Sequence, residues 1–205
     1  MVTPRRSPLE PVKELPNEMP NEPKNQAFNE SPGQPPTESP SGSPADPIKA
    51  DDQPPVHVVL YHPEIPPNTG NIGRTCVALG ARLWLVRPLG FEITDAQIRR
   101  SGLDYWQHLD LHVVDDWQQL LRRLPDNPRM WFCSRFARRT PWSVDLRRGD
   151  VFVFGSESSG LPDWILDPSD PQSLNLPTHP KVRSLNLATT AGVFLYEHHR
   201  QITAG

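Results

Sequence analysis

Cysteine is almost absent from this 205-residue chain. Its two cysteines, Cys76 and Cys133, lie in apolar surroundings at a separation that fits no metal site and requires no disulfide. Lysine is scarce too: after residue 55 the only one is Lys181, so arginine carries the cationic chemistry there. No apolar run approaches the ~20 residues that a membrane-spanning helix needs. The first 55 residues have a single aromatic, Phe28, and no apolar core of the kind found in a signal peptide. The expectation is a soluble, cytoplasmic protein with no membrane contact and no metal.

Proline is abundant, with 14 of the 26 falling before Val56 among Glu, Ser, Asn, Gln and Gly. Such a stretch cannot bury enough apolar surface to offset its ordering entropy, so residues 1–55 are expected to form a disordered tail and 56–205 one folded domain. The tail carries nine acidic and five basic residues, the wrong balance for a transit peptide. Without it, the chain's 21 Lys+Arg and 24 Asp+Glu fall to 16 and 15, roughly neutral. Nucleic acid therefore has no global electrostatic footprint. Local arginine groups remain at Arg99-Arg100, Arg122-Arg123, Arg135 with Arg138-Arg139, and Arg147-Arg148. Their planar forks suit bidentate phosphate contact, although solvated faces would explain any single pair equally well.

Buried strands are expected at Val56–Tyr61, Arg82–Val86, around His112-Val113, and at Met130–Ser134, Val151–Phe154 and Ser173–Leu176. Helices should run from a cap at Asn68 or Thr69 to Leu79 with Gly80 as its stop, then over Asp95–Ser101, Trp117–Leu124 and Leu187–Gln201. Pro63, Pro66 and Pro67 should hold the loop before the first helix extended. Strands alternating with helices imply an α/β domain on a mostly parallel sheet.

Three loops carry unusual chemistry. In Pro63–Arg74, Gly70 and Gly73 follow a strand and open a helix, but the G-x-G-x-x-G spacing of a dinucleotide site is missing, which argues against a nucleotide-dependent oxidoreductase. A rigid proline-built turn aiming Asn68, Asn71 and Arg74 remains. An arginine in a first helical turn opposes the helix dipole and calls for an anionic or polar partner, unless it is simply a surface arginine. In Phe154–Pro162, Leu161-Pro162 follow Gly160 where a Walker A loop needs Lys and Ser/Thr, and Ser156 stands where a nucleophile elbow needs glycine. Gly155 and Gly160 suit a backbone that approaches a ligand without phosphates, with Glu157 at the mouth or serving as a helix-capping carboxylate. In Lys181–Ala188, Ser184 and Asn186 either bind a ligand or cap the last helix, and Leu174, Leu176 and Pro177 upstream offer an apolar slot. His62, His198 and His199 match no zinc pattern and read as ordinary polar residues.

Taken together, these loops resemble those of the SPOUT superfamily of RNA methyltransferases over essentially all of residues 56–205. The similarity is narrower still to the bacterial enzymes that methylate the ribose 2′-oxygen of the tRNA wobble nucleotide, cytidine or uridine 34. It rests on Leu60-Tyr61, Pro63–Asn71 with Arg74, Arg99–Tyr105 with its Gly-Leu-Asp-Tyr run, Gly155–Pro162, and Arg183–Leu187.

The resemblance implies a C-terminal deep trefoil knot, a rare exception to unknotted chains. It also implies S-adenosyl-L-methionine as cofactor, a homodimer whose sites draw groups from both subunits, and the tRNA anticodon loop as partner. By matching positions, Cys133, Gly155, Gly160, Leu176, Ser184 and Leu185 would touch the cofactor. Arg74, Glu157 and Asn186 would be catalytic, and Asn68, Arg74 and Tyr105 would meet the substrate. Glu157 would steady Arg74 or neighbouring loop groups. A SPOUT enzyme acting on another tRNA or rRNA site, or a catalytically silent RNA-binding module, are the alternatives.

Overall fold

The computed structural model describes residues 53–92, 105–167 and 169–204. The helix expected at Asp95–Ser101, the Arg99-Arg100 pair and most of the Gly-Leu-Asp-Tyr run lie outside the described residues.

Among the described residues, six parallel strands form one sheet: β1 Val56–Tyr61, β2 Arg82–Val86, β3 Leu111–Val114, β4 Met130–Cys133, β5 Asp150–Phe154 and β6 Ser173–Leu174, in the order β3-β2-β1-β5-β4-β6. The α-helices among the described residues are α1 Pro66–Leu79, α2 Trp117–Arg123 and α3 Leu187–Thr203. Among the described residues no helix is long and apolar enough to cross a membrane.

Strand alternation divides the core. Val58, Leu60, Leu83, Leu85, Phe152 and Phe154 pack towards Ile72 and Cys76 of α1 and towards Ala191, Phe194 and Leu195 of α3. Val59, Trp84, Val86, Val151 and Val153 pack towards Leu120 of α2. Helices therefore cover both faces, as near-continuous apolar parallel strands require. Phe154 and Phe152 each meet Phe194 edge-to-face, with centroids 5.6 and 5.5 Å apart. Each such ring contributes roughly 1.5–3 kcal/mol by leaving water.

The sequence expectations hold for the fold class and for most elements, with local corrections. α1 begins at Pro66 rather than at an Asn68 or Thr69 cap. Pro66 and Pro67 occupy the first helical positions, where a missing N–H costs nothing, so no polar cap is required and Ile65 is the N-cap. Arg74 is consequently the ninth residue of α1 and not in its first turn, so the dipole argument for an anionic partner lapses. Gly80 ends α1 as expected, at φ 65°. β6 stops at Leu174, and α3 continues to Thr203.

Among the histidines read as ordinary polar residues, His198 has a structural place. It is buried, its Nε2 lies 2.9 Å from the Arg147 carbonyl, and its ring meets Phe152.

His57 is buried as well. Its Nδ1 accepts from Trp84 Nε1 at 3.1 Å, which leaves the proton on Nε2, and that atom has no partner. Burial first, and the Arg82 charge second, lower its pKa to about 4. The unfolded chain titrates near 6.5 and so binds the extra proton between those two values. Stability is complete above about pH 6.5 and falls as pH is lowered towards 4, by roughly 3 kcal/mol in all. His112 and His198 are shifted down by burial too and add to the loss. Urea midpoints should drop between about pH 7 and pH 5, and His57→Gln should flatten that decline.

Candidate active site

The strand order reverses between β1 and β5, so the loops leaving their C-terminal ends diverge around a crevice, the usual ligand position in an open α/β sheet. The loops after β4 and β6 emerge at the same edge, because the strands are parallel.

At this edge a cavity of about 760 Å³ opens. Cys133, Phe154, Leu174, Leu176 and Phe194 give it apolar walls; residues 155–161 and 183–187 supply backbone and polar groups. Gly155 is packed so tightly that an added Cβ would lie 2.0 Å from the Gly160 carbonyl carbon and 2.2 Å from the Leu161 nitrogen. Ser156 and Gly160 pair backbone to backbone, at 3.2 and 2.9 Å, and Gly160 takes φ 75° to close the turn.

One hydrogen-bond chain ties three loops together. Glu157 Oε1 accepts from Asn68 Nδ2 at 2.9 Å, and Glu157 Oε2 accepts from the Glu64 backbone N–H at 2.9 Å. Asn186 Nδ2 donates to Asn68 Oδ1 at 2.9 Å. Asn186 Oδ1 accepts from the N–H groups of Ala188 and Thr189, at 2.8 and 3.2 Å, and so caps α3. Of the two readings of Asn186, capping is the one these contacts show, through Oδ1, while Nδ2 is engaged by Asn68. Asn68 is buried, with both ends of its amide engaged, and the prolines that start α1 release its side chain from capping.

Glu157 contacts neighbouring loop groups, not Arg74. Arg74 is exposed on α1 and lies outside the cavity wall, its guanidinium 4.8 Å from the centre of the Tyr105 ring. Tyr105 in turn donates its hydroxyl to the Gly70 carbonyl at 2.8 Å. Asn68, Cys133, Gly155, Glu157, Gly160, Leu176, Ser184, Leu185 and Asn186 all line the cavity, whereas Arg74 and Tyr105 form a separate pair beside it.

Glu64 was not singled out by the sequence. Its carboxylate accepts from Ser158 N at 3.0 Å and Ser158 Oγ at 2.6 Å, locking the first loop to the second. No local pattern marks it, because its partner lies 94 residues away. Burial pushes the Cys76 thiol up to about 12 and the Cys133 thiol well above its usual range, so neither is a thiolate nucleophile. Among the described residues no group of three or more His, Cys, Asp or Glu could hold a metal ion.

A doubly wound parallel sheet, with an apolar, glycine-backed cavity at its switch point strapped by the N-cap of the last helix, defines an α/β domain with the fold of SpoU-type methyltransferases. That fold recurs in the SpoU methyltransferase AviRb from Streptomyces viridochromogenes in complex with the cofactor AdoMet, at TM-score 0.65 and 21% identity over 77% of this chain and 63% of that one. The chain belongs to the SpoU rRNA Methylase family, whose model matches residues 55–196. It is 45% identical over 145 residues to the tRNA (cytidine(34)-2'-O)-methyltransferase of Methylovorus glucosotrophus (strain SIP3-4), covering 70% of this chain and 94% of that protein. The protein of the same name in Burkholderia cenocepacia (strain HI2424) is 46% identical over 149 residues, covering 71% and 94%. A solved structure described as structural insights into the 2-OH methylation of C/U34 on tRNA matches with TM-score 0.68 and 43% identity, covering 73% of this chain and 97% of that one.

Proposed function

We propose that the domain from residue 56 onward is a transferase that moves a methyl group from S-adenosyl-L-methionine to the ribose 2′-oxygen of the tRNA wobble nucleotide, cytidine or modified uridine 34. The observation that carries this reading is the Glu157–Asn68–Asn186 chain, which closes three loops around one apolar, glycine-backed cavity. The names of the relatives support the substrate.

The cavity fits such a cofactor. Gly155 and Gly160 let backbone come close, Leu174 and Leu176 give the cavity an apolar wall suited to adenine, and the second loop lacks the Lys-Ser/Thr continuation of a phosphate cradle. Cys133, Gly155, Gly160, Leu176, Ser184 and Leu185 would hold it. When bound, it supplies a methyl group on a positively charged sulfonium.

A ribose hydroxyl is a weak nucleophile, so the protein must align it and stabilise the developing alkoxide. Arg74 is the group for this. A guanidinium stays cationic in proteins, so Arg74 orients the hydroxyl and offsets negative charge rather than taking the proton, which passes to water as the O–CH3 bond forms and the S–CH3 bond breaks. Tyr105 positions the Arg74 guanidinium by ring contact, and Glu157 and Asn186 fix Asn68 at the mouth of the cavity.

A homodimer belongs to the same proposal. Arg74 stands outside its own subunit's cavity wall, and Val193 and Tyr196 expose apolar surface on α3, which packs against α1. A second copy covering that surface would bring Arg74 to the opposite cavity. The C-terminal trefoil knot and work in the cytoplasm complete the reading. The catalytic domain of this reading is residues 56–205.

Purified protein incubated with labelled S-adenosyl-L-methionine and bulk tRNA should yield a 2′-O-methylated nucleoside, mapped by mass spectrometry to the wobble position. Absence of transfer to any RNA would overturn the enzyme assignment. A methylated ribose elsewhere, including in ribosomal RNA as the family description suggests, would move only the target.

A further inference from the structure

The loop after β4 takes no part in the network that closes the cavity, yet it lines it. Ser134–Ala137 forms a tight turn, with Ala137 N donating to the Ser134 carbonyl at 3.2 Å and Phe136 N donating to Ser134 Oγ at 3.3 Å. Phe136, within the turn, is 65% exposed. Arg135 lies over that ring, its guanidinium 4.3 Å from the centroid, and both residues line the cavity. Arg138 is exposed two residues on, and among the described residues neither Arg135 nor Arg138 forms an ion pair.

The base of the loop is fixed by contrast. Arg139 bridges to Leu174, donates to the Pro171 carbonyl, and stands 6.0 Å from the Trp131 ring. A loop tip that only spans a gap does not need an open phenylalanine face. An aromatic ring already paired with one guanidinium, next to a second cation and continuous with a reaction cavity, has the chemistry that grips single-stranded RNA. Bases stack on the ring, arginine planes add cation–π contact, and the outlying cation meets phosphate.

We propose that Phe136 and Arg135 form a stacking platform for the base next to the methylated nucleotide, with Arg138 contacting a phosphate of the same strand. This rests on the tRNA reading above and adds a substrate-positioning element to it. A stack reads the π-face of any base, so the platform selects unstacked, single-stranded loops over duplex rather than a particular sequence.

The test uses the full chain and an anticodon stem-loop RNA carrying 2-aminopurine immediately 5′ or 3′ of the target nucleotide. Wild-type protein should change 2-aminopurine fluorescence at one of the two positions. Phe136→Ala should remove that change and weaken RNA binding about tenfold, while Phe136→Trp keeps both. Arg138→Ala should lower the slope of log affinity against log salt by about one. Cofactor affinity by calorimetry should stay within about twofold in every variant.

The platform is overturned if wild type shows no fluorescence change at either position, or if Phe136→Ala binds RNA like wild type. It is also overturned if Phe136→Ala loses cofactor affinity by the same factor as RNA affinity, which would make Phe136 a cofactor wall, or if that variant dissociates the dimer in sedimentation. Absence of methyl transfer by wild type would strike the proposed function, while the fluorescence and RNA-affinity comparison would still decide the platform.

Discussion

Gly155→Ala should abolish measurable cofactor binding, whereas Gly160→Ala should only weaken it. The two glycines face each other across one turn but fail for different reasons. A Cβ at Gly155 would meet main-chain atoms of Gly160 and Leu161 at 2.0 to 2.4 Å, and backbone cannot rotate away as a side-chain tip can. The 156–160 turn would have to move as a unit, carrying Glu157 off Asn68 and opening the cavity wall. Overpacking of this kind costs about 1–3 kcal/mol of stability, more where backbone must shift. A Cβ at Gly160 meets nothing within 4 Å, so the penalty there is conformational, roughly 1–2 kcal/mol for a φ of 75°. Calorimetric titration with S-adenosyl-L-methionine, alongside urea unfolding of both variants, separates the cases. Equal affinity losses would show that the turn's shape, and not the close approach at Gly155, controls the pocket.

The contrast also marks how much the sequence discloses. Gly155 and Gly160 are legible because they bracket four polar residues at the end of a β-branched and aromatic strand, a composition that marks a loop after the strand. The same logic found Asn186 and Ser184 at the entrance to an apolar helix. Asn68 was found as a polar residue of interest, but its job was not legible. An asparagine near a helix start normally caps it, and only the two prolines at the first helical positions free its amide to bridge Glu157 and Asn186. Starting α1 at Pro66 lengthens the helix ahead of Arg74 without rotating that residue about the helix axis. Arg74 leaves the first turn and faces Tyr105, not the cavity. Glu64 and Phe136 had no local signal at all. One acts through a residue 94 positions away, and the other is an exposed side chain in an irregular loop, where periodicity carries no information.

Arg74→Ala should reduce methyl transfer by at least about a hundredfold, the scale on which loss of one preorganised charge-stabilising group is felt, with S-adenosyl-L-methionine affinity nearly unchanged. The separation follows from position: Arg74 contributes nothing to the cavity wall, and its ring contact is with Tyr105. Arg74→Lys keeps the charge but loses the planar fork, so it should recover only part of the activity. If cofactor affinity collapses in Arg74→Ala, the residue is structural and the assigned role is wrong. Where Arg74 acts is a separate question, answered by mixing protomers. In a heterodimer of Arg74→Ala with Gly155→Ala, donation across the interface leaves one complete site, an intact cavity served by the other subunit's arginine. Donation within a subunit leaves none. Activity restored on mixing two inactive homodimers therefore demonstrates a shared site. Its absence, with heterodimer formation verified by differential tagging, confines Arg74 to its own chain and would require the helix to move towards the cavity when RNA binds.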